Sequence, residues 1–417
     1  MIRTWPLSIL ALVACDREIP FGTLAAGTGG GPTNGTFSCA QRGPLHEVGD
    51  GSEAACGASS AGFHFAVCSC GNLTSERETL VDGFDSARAP YAPGEASGAL
   101  GVNGGLYPHP LTLGGSLVIA GGAGAPLGGD VTVGGHLANA GQLQNPYVVR
   151  VAGNARIAGD VRPQRIEVGG TFTLAPTSAF EPREPASVPV RASVAIAPPC
   201  RCDGARSLDV VGIVRAAESD HDDDRIDLDP ERGLRLDAGG TRSLPCGRYY
   251  VDDIFTAGRL TLRITGRVAL YVGQRIVLDP SGQLDVELLD DAELDLYVAG
   301  GISASGSINL GSPRHPDRVR LYVGGNVAAG TAGTGDNIYF GAPSVIAAAV
   351  HAPHSELVAG ASFELYGAAL LASTVFSQPA RLHFDRALVG DRCDAATCTR
   401  DADCAAPLRC DGTRCLP

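Results

Sequence analysis

Apolar and polar positions alternate in short runs along most of this chain, and glycine ends each run. Between about Leu111 and Leu174 one phrase recurs as Leu117-Val118-Ile119-Ala120-Gly121, Val131-Thr132-Val133-Gly134-Gly135, Val149-Arg150-Val151-Ala152-Gly153 and Ile166-Glu167-Val168-Gly169-Gly170. The third residues of these phrases lie 14, 18 and 17 positions apart. Each phrase carries the period of two that marks a half-buried β-strand, and glycine follows where the backbone must turn tightly. A second series reads Leu270-Tyr271-Val272-Gly273, Leu296-Tyr297-Val298-Ala299-Gly300 and Leu321-Tyr322-Val323-Gly324, at spacings of 26 and 25. Strand-and-turn units repeating at such intervals, without helical periodicity, predict an all-β solenoid with glycine-rich turns. Each strand should then pair with its equivalent one rung away, with Leu270 and Val272 on one face and Tyr271 on the other. No helix of useful length is required, except as a cap on an end of an array.

Punctuation divides the chain. Residues 1–14 hold Arg3 and an apolar run from Leu7 to Ala14, the layout of a secretory signal, and too short to span a bilayer. Leu12-Val13-Ala14-Cys15 looks like a bacterial lipobox, which implies cleavage before Cys15 and acylation of that cysteine, an anchor that needs no transmembrane helix. Residues 15–44, rich in Gly, Thr, Pro and Ser, read as a lipidated cysteine and a flexible tether. A cysteine-bearing section at 45–100 precedes a first solenoid array at 101–182, a Pro/Cys linker at 183–207, a second array at 208–390 and a cysteine-rich tail at 391–417. The tail is too small to fold on apolar burial alone, so disulfides should hold it.

Composition narrows the classes of partner. A formal charge of -13 argues against nucleic acid, because phosphate binding rests on clustered positive charge. Thirteen cysteines in an exported chain read as disulfides. Setting Cys15 aside, the candidates are Cys39, Cys56, Cys68 and Cys70, then Cys200, Cys202 and Cys246, then Cys393, Cys398, Cys404, Cys410 and Cys415. If the first group closes on itself, the two odd groups must share one bridge, and spacing alone does not give the connectivity. The pairs Cys68/Cys70 and Cys200/Cys202 also have a spacing that zinc can use, which the oxidising compartment disfavours.

With this pattern laid out, the chain resembles an uncharacterised group of secreted and lipid-anchored bacterial β-solenoid proteins with a cysteine-rich tail; similar domains occur in some surface and pilus-associated proteins. The matching stretches are Cys68-Ser69-Cys70-Gly71, Asp82-Gly83-Phe84-Asp85-Ser86, Leu244-Pro245-Cys246-Gly247-Arg248-Tyr249-Tyr250, Val350-His351-Ala352-Pro353, Phe363-Glu364-Leu365-Tyr366-Gly367 and Leu382-His383-Phe384-Asp385. The resemblance implies a right-handed parallel β-helix in an extracytoplasmic location, and it carries no catalytic residues.

Candidate sites are few. Within the acidic run Asp220, Asp222, Asp223, Asp224, Asp227, Asp229 and Glu231, taking Asp220 as the first position puts Asp222, Asp224 and Glu231 at the third, fifth and twelfth positions of a calcium loop. Arg225 replaces the required glycine, Pro230 intrudes and flanking helices are not visible, so a solvated acidic loop is the plainer expectation. Asp290, Asp291, Glu293 and Asp295 lie opposite Arg318 and Arg320 one repeat on, which predicts cross-rung charge contacts on a solvated face, each under about 1 kcal/mol. His351, His354, His383 and Asp385 stand in the last rungs, where hydrogen-bonded structural roles are expected, since a metal needs three or four converging ligands. No nucleophile elbow or phosphate loop is present in a strand-to-helix setting.

These readings predict a lipid-anchored, periplasmic or cell-surface structural or interaction protein of the cell envelope, without catalysis and with no cofactor other than a candidate calcium ion. Its partners would be the membrane, through the anchor, and an envelope protein or glycan. The alternative is a carbohydrate-binding or polysaccharide-degrading β-helix, and an exposed aromatic and carboxylate groove would favour it. Oligomeric state is left open.

Overall fold

The computed structural model describes residues 37–46, 48, 63–94, 97–121, 129–144, 147–202, 208–226, 228, 234–235, 239–327 and 335–389, with the short strands Arg409–Cys410 and Cys415–Leu416, which pair antiparallel. The remaining strands form one 31-stranded sheet, and its pairings are parallel. The chain winds in coils, and each short strand lies beside its counterpart one rung away.

Three ladders result. The first runs through Gly247–Val251, Arg267–Val272, Glu293–Val298, Val319–Val323 and the middles of two long strands, Ser344–Ala359 and Phe363–Phe376. It continues through Val67–Ser69, Leu100–Val102, Leu117–Ile119, Leu137–Asn139, Ala155–Ile157, Phe172–Leu174 and Val190–Arg191. The second passes through Ile254–Thr256, Ile276–Leu278, Ile302–Ala304, Ile338–Phe340, the ends of the long strands, Leu73–Ser75 and Leu106–Tyr107. The third includes Arg259–Ile264, Gln283–Leu288, the starts of the long strands, Ala380–Asp385, Thr79–Phe84 and Leu111–Leu113.

Space therefore does not follow chain order. The two repeat arrays form one stack, in which the end of the later array is continued by the start of the earlier one. One coil is composite: Ala380–Asp385 supplies one side, and Val67–Ser69 and Leu73–Ser75 supply the other two. At this seam Phe63 N donates to Leu388 O (3.1 Å) and Ala369 N to Ala66 O (3.0 Å). Thirteen rungs on the first ladder, about 4.8 Å apart, make a stack roughly 60 Å long. Of residues 45–100, read as a separate cysteine-bearing section, Val67–Ser69 and Leu73–Ser75 supply two sides of the composite coil and Thr79–Phe84 one side of the next.

Alternation places the core as expected. Leu270, Leu296, Leu321, Val350, Ala369, Val67 and Leu100 stand in register inside the stack, across the seam, and all are buried. Each of these Leu and Val side chains contributes about 1.5–3 kcal/mol through the apolar surface it removes from water, and Ala369 about 0.8 kcal/mol. The recurrent glycines form a ladder at one corner: Gly115 N donates to Gly98 O (2.8 Å), Gly135 to Gly115 (2.8 Å) and Gly153 to Gly135 (2.9 Å). A Cβ at Gly115 would come within 2.6 Å of the Gly98 carbonyl, so the phrase needs glycine there.

Three segments sheathe the first ladder. The linker runs back along the stack: Ala192 N meets Leu174 O (3.1 Å), Ala195 O accepts from Arg156 (3.3 Å), and Cys200 exchanges hydrogen bonds with Asn103 (2.7 and 2.9 Å). Disulfides Cys68–Cys200 and Cys70–Cys202 fasten it. Beyond it lies an eight-residue helix, Val210–Ala217, which the strand-only reading did not require. Asp209 caps it by accepting from Gly212 N (2.9 Å), and Val210, Val214 and Ala217, on one helical face, pack with Tyr250, Tyr271 and Tyr297. Residues 37–46 form a strap over the same region, held by Cys39–Cys246. The part of the presumed tether from Phe37 to Pro44 is thus docked, because its backbone groups find partners on the stack.

The disulfides correct one premise: Cys39, Cys68 and Cys70 each pair with the middle group, so the first group does not close on itself. Cys68/Cys70 and Cys200/Cys202 are joined to each other as disulfides. Cys15, Cys56, Cys393, Cys398 and Cys404 lie outside the described residues, as do the side chains of Cys410 and Cys415.

Candidate functional site

One cluster of polar and aromatic residues lies at the seam, on the outer side of the third ladder. Tyr366, His383 and Asp82 occupy consecutive rungs in register. Asp82 Oδ1 lies 2.6 Å from His383 Nδ1, and Asp82 Oδ2 accepts from the Tyr91 hydroxyl at 2.8 Å. The Tyr91 and Tyr366 rings sit 4.2 and 4.5 Å from the imidazole and 5.3 Å from each other, edge to face. Two residues further along the strand that carries His383, Asp385 accepts from Ser86 N (2.9 Å) and from the Ser86 hydroxyl (2.6 Å). Burial and the neighbouring Glu364 push the Tyr366 phenol up to about 12, and burial with the Asp82 contact pushes Tyr91 up as well, so both stay protonated at neutral pH. A carboxylate-held imidazole is the orienting half of a hydrolytic triad. Among the described residues, no hydroxyl or thiol hydrogen-bonds to His383 Nε2, and two aromatic rings cover the imidazole. The cluster instead links segments some 300 residues apart, and its geometry is that of a clasp.

A second cluster lies under the strap. Asp295 and Arg320 are in register on neighbouring rungs, with Arg320 Nε 2.9 Å from Asp295 Oδ1 and Nη2 2.8 Å from Glu293 Oε2. Arg267 approaches from the other side, 3.5 Å from Glu293 and 3.7 Å from Asp295. Gly43 N donates to Glu293 (2.9 Å), and the Tyr322 hydroxyl donates to His46 O (3.0 Å). Burial alone would lower the Arg320 pKa, but Asp295 and Glu293 outweigh it and hold it above its ordinary value. The expected cross-rung contacts exist, but the face is not solvated: Asp295 is 0% exposed and Arg320 4%, because strap and helix cover it. Asp291, paired with Arg318 at 3.4 Å, stays at the solvated margin. Above this network Tyr271, Tyr297 and Tyr322 stack at 5.1 and 4.5 Å.

The acidic run is solvated only in part where it is described: Asp224 is exposed, whereas Asp222 and Asp223 are buried. Asp222 Oδ2 accepts from Arg248 N (2.9 Å) and Asp223 Oδ1 from Tyr250 N (3.0 Å), so these carboxylates satisfy the end strand, Gly247–Val251. Asp220 grips the Arg248 guanidinium with both oxygens at 2.7 Å, which holds its carboxyl below its ordinary value. Asp223 is fully buried, and desolvation raises it to about 6. Asp224 lies in the same 3-10 turn, Asp223–Arg225, while Glu231 lies outside the described residues. Among the described residues no three His, Cys, Asp or Glu side chains converge as metal ligands.

The histidines separate. His383 faces out from the third ladder, whereas His351 lies on the first, in register with Tyr322. Neither ring nitrogen of His351 makes a hydrogen bond, contrary to the role expected of it, and burial with the nearby His354 lowers its pKa to about 4. Tyr91 and its contact with Asp82 were not foreseen. Three of the motif stretches noted above, Asp82-Gly83-Phe84-Asp85-Ser86, Phe363-Glu364-Leu365-Tyr366-Gly367 and Leu382-His383-Phe384-Asp385, meet at the seam, but nothing in their spacing announces it.

Residues 204–390, under half of the chain, match the family described as Domain of unknown function (DUF7305). No curated protein and no solved structure matches the chain.

Proposed function

We propose that the protein is a lipid-anchored, extracytoplasmic structural or interaction protein of the bacterial cell envelope. In this reading the body is a right-handed solenoid that acts as a rigid spacer, without catalysis or a resident cofactor. The observation that carries the reading is the bracing of one continuous stack by three disulfides, joining residues 207, 132 and 132 positions apart. Such bonds persist in oxidising compartments, which agrees with the export signal and lipobox. The strap supports it further, since a tether from Cys15 would enter the stack beside the Cys39–Cys246 bond. The tail beyond Val389 then leaves from the seam, midway along the stack, and not from its tip.

Metabolic labelling with palmitate tests the anchor. Wild type should carry label and sediment with membranes, and Cys15→Ser should lose both properties. An unlabelled, soluble wild type would overturn the anchoring. Carbohydrate binding is the second reading, and the observation favouring it is the second ladder, uncovered among the described residues, where Tyr339 is 39% exposed.

A further inference from the structure

We propose that the outer side of the second ladder is a binding face for an extended, neutral polysaccharide. Over eight successive rungs the outward positions hold Phe255, Val277, Tyr339, Val358, Val375 and Tyr107 in one row, interrupted only by two small hydroxyl residues. All are half-buried or exposed. The first ladder is sheathed by helix, strap and linker, and the outward row of the third carries charged pairs such as Arg259–Asp285 and Arg150–Asp130. Among the described residues, the second ladder is the bare apolar one.

Its details suit a chain of sugar rings. A Cβ at Gly341 would meet the Tyr339 ring at 3.0 Å, and one at Gly360 would lie 3.5 Å from its hydroxyl. Glycine at these corners lets the ring lie along the face, where it can pack against the C–H side of a sugar. One border is a row of hydrogen-bonding groups: Asp252 with Gln274 (2.8 Å) and Glu356 with Ser373 (2.8 Å). Ala257, Ser281, Gly341 and Gly360 leave the other border low. Sugar hydroxyls can donate to the carboxylates and accept from the amide, while the same carboxylates repel a polyuronate.

Size selects the occupant. Strands of three residues, about 10 Å long, over eight rungs about 4.8 Å apart give a face of about 340 Å². A stable dimer buries about 800 Å² per partner, so the strip is too narrow for a second copy. A slender polymer whose sugar repeat is close to one rung can lie along it, and the row's apolar groups recur at that interval.

The proposal names the partner of the interaction protein inferred above. Its test, affinity electrophoresis of the full chain, does not depend on where the protein is anchored. Gels containing hydroxyethylcellulose should retard the wild type, and gels containing polygalacturonate should not. Tyr339→Ser should weaken the retardation about tenfold with circular dichroism and melting unchanged, whereas Tyr147→Ser, equally exposed elsewhere on the stack at 41%, should bind as wild type does. Absence of retardation by the neutral polymer, retardation by polygalacturonate alone, or a Tyr339→Ser variant that binds normally would each overturn it. Loss of palmitate labelling with binding intact would sink the anchoring alone.

Discussion

Replacing Arg320 with Leu removes one cation from a buried set of two guanidinium and two carboxylate groups. In the intact set, Arg320 donates to Asp295 at 2.9 and 3.2 Å and to Glu293 at 2.8 Å, while Arg267 stands 3.5 Å or more from both. The variant leaves Asp295 and Glu293, 0% and 7% exposed, sharing the more distant cation. Breaking a buried pair from one side costs about 3–5 kcal/mol, chiefly through the uncompensated charge. For a chain of this size that corresponds to a fall of about 3–6 °C in melting temperature. The double variant Asp295→Leu/Arg320→Leu restores the balance of one anion to one cation and should recover most of the loss. Far-ultraviolet circular dichroism melts of wild type, both single variants and the double variant close the cycle. A single-variant cost under about 1 kcal/mol, with no recovery in the double variant, would mean that these charges are solvated and that strap and helix do not cover them.

Two pH profiles should run in opposite senses. Asp223, raised to about 6 by burial, binds its proton more tightly when folded, so its contribution to stability is largest at low pH and is lost as pH rises through about 4 to 6. With His221, Asp222 and Asp224 around it unchanged, Asp223→Asn should gain stability over wild type between pH 4 and 7, on the order of 1–3 kcal/mol; a constant difference in melting temperature would refute this. His351, lowered to about 4, contributes stability that is present above pH 6.5 and lost as pH falls toward 4. His351→Leu should flatten the acid limb of the melting profile, and an unchanged limb would contradict the burial. A permuted chain that begins at Leu208, runs to Val389, passes through a short linker to Phe63 and ends at Cys202 lacks the strap and Cys39 but should keep a β-rich circular dichroism spectrum, because the stack already follows that path; failure to fold with Cys68–Cys200 and Cys70–Cys202 formed would count against the seam.

The local pattern carried the architecture far. Alternation in Leu270-Tyr271-Val272 placed Leu270 and Val272 inside and Tyr271 outside, as found, and the glycine phrases marked the corners. What it could not carry was anything made between distant segments. Thr79–Phe84 and Ala380–Asp385 pair across about 300 residues, and parallel strands of similar composition give no signal of which rung follows which. Glu293 and Arg320 were read as solvated because their own strands cannot show that a helix at Val210–Ala217 and a strap at Phe37–His46 fold over them. Asp222 and Asp223 were read as a charge run for the same reason. Their role as acceptors for Arg248 and Tyr250 backbone groups depends on the end of the stack, which no local window contains.

Peptide mapping of the unreduced protein, purified from the cell envelope, tests the central claim most directly. One braced stack in permuted order requires linked peptides containing Cys39–Cys246 and the pairs Cys68–Cys200 and Cys70–Cys202. Bonds confined within residues 39–70, or free thiols at these six positions, would contradict both the path of the chain and the oxidising compartment assigned to it.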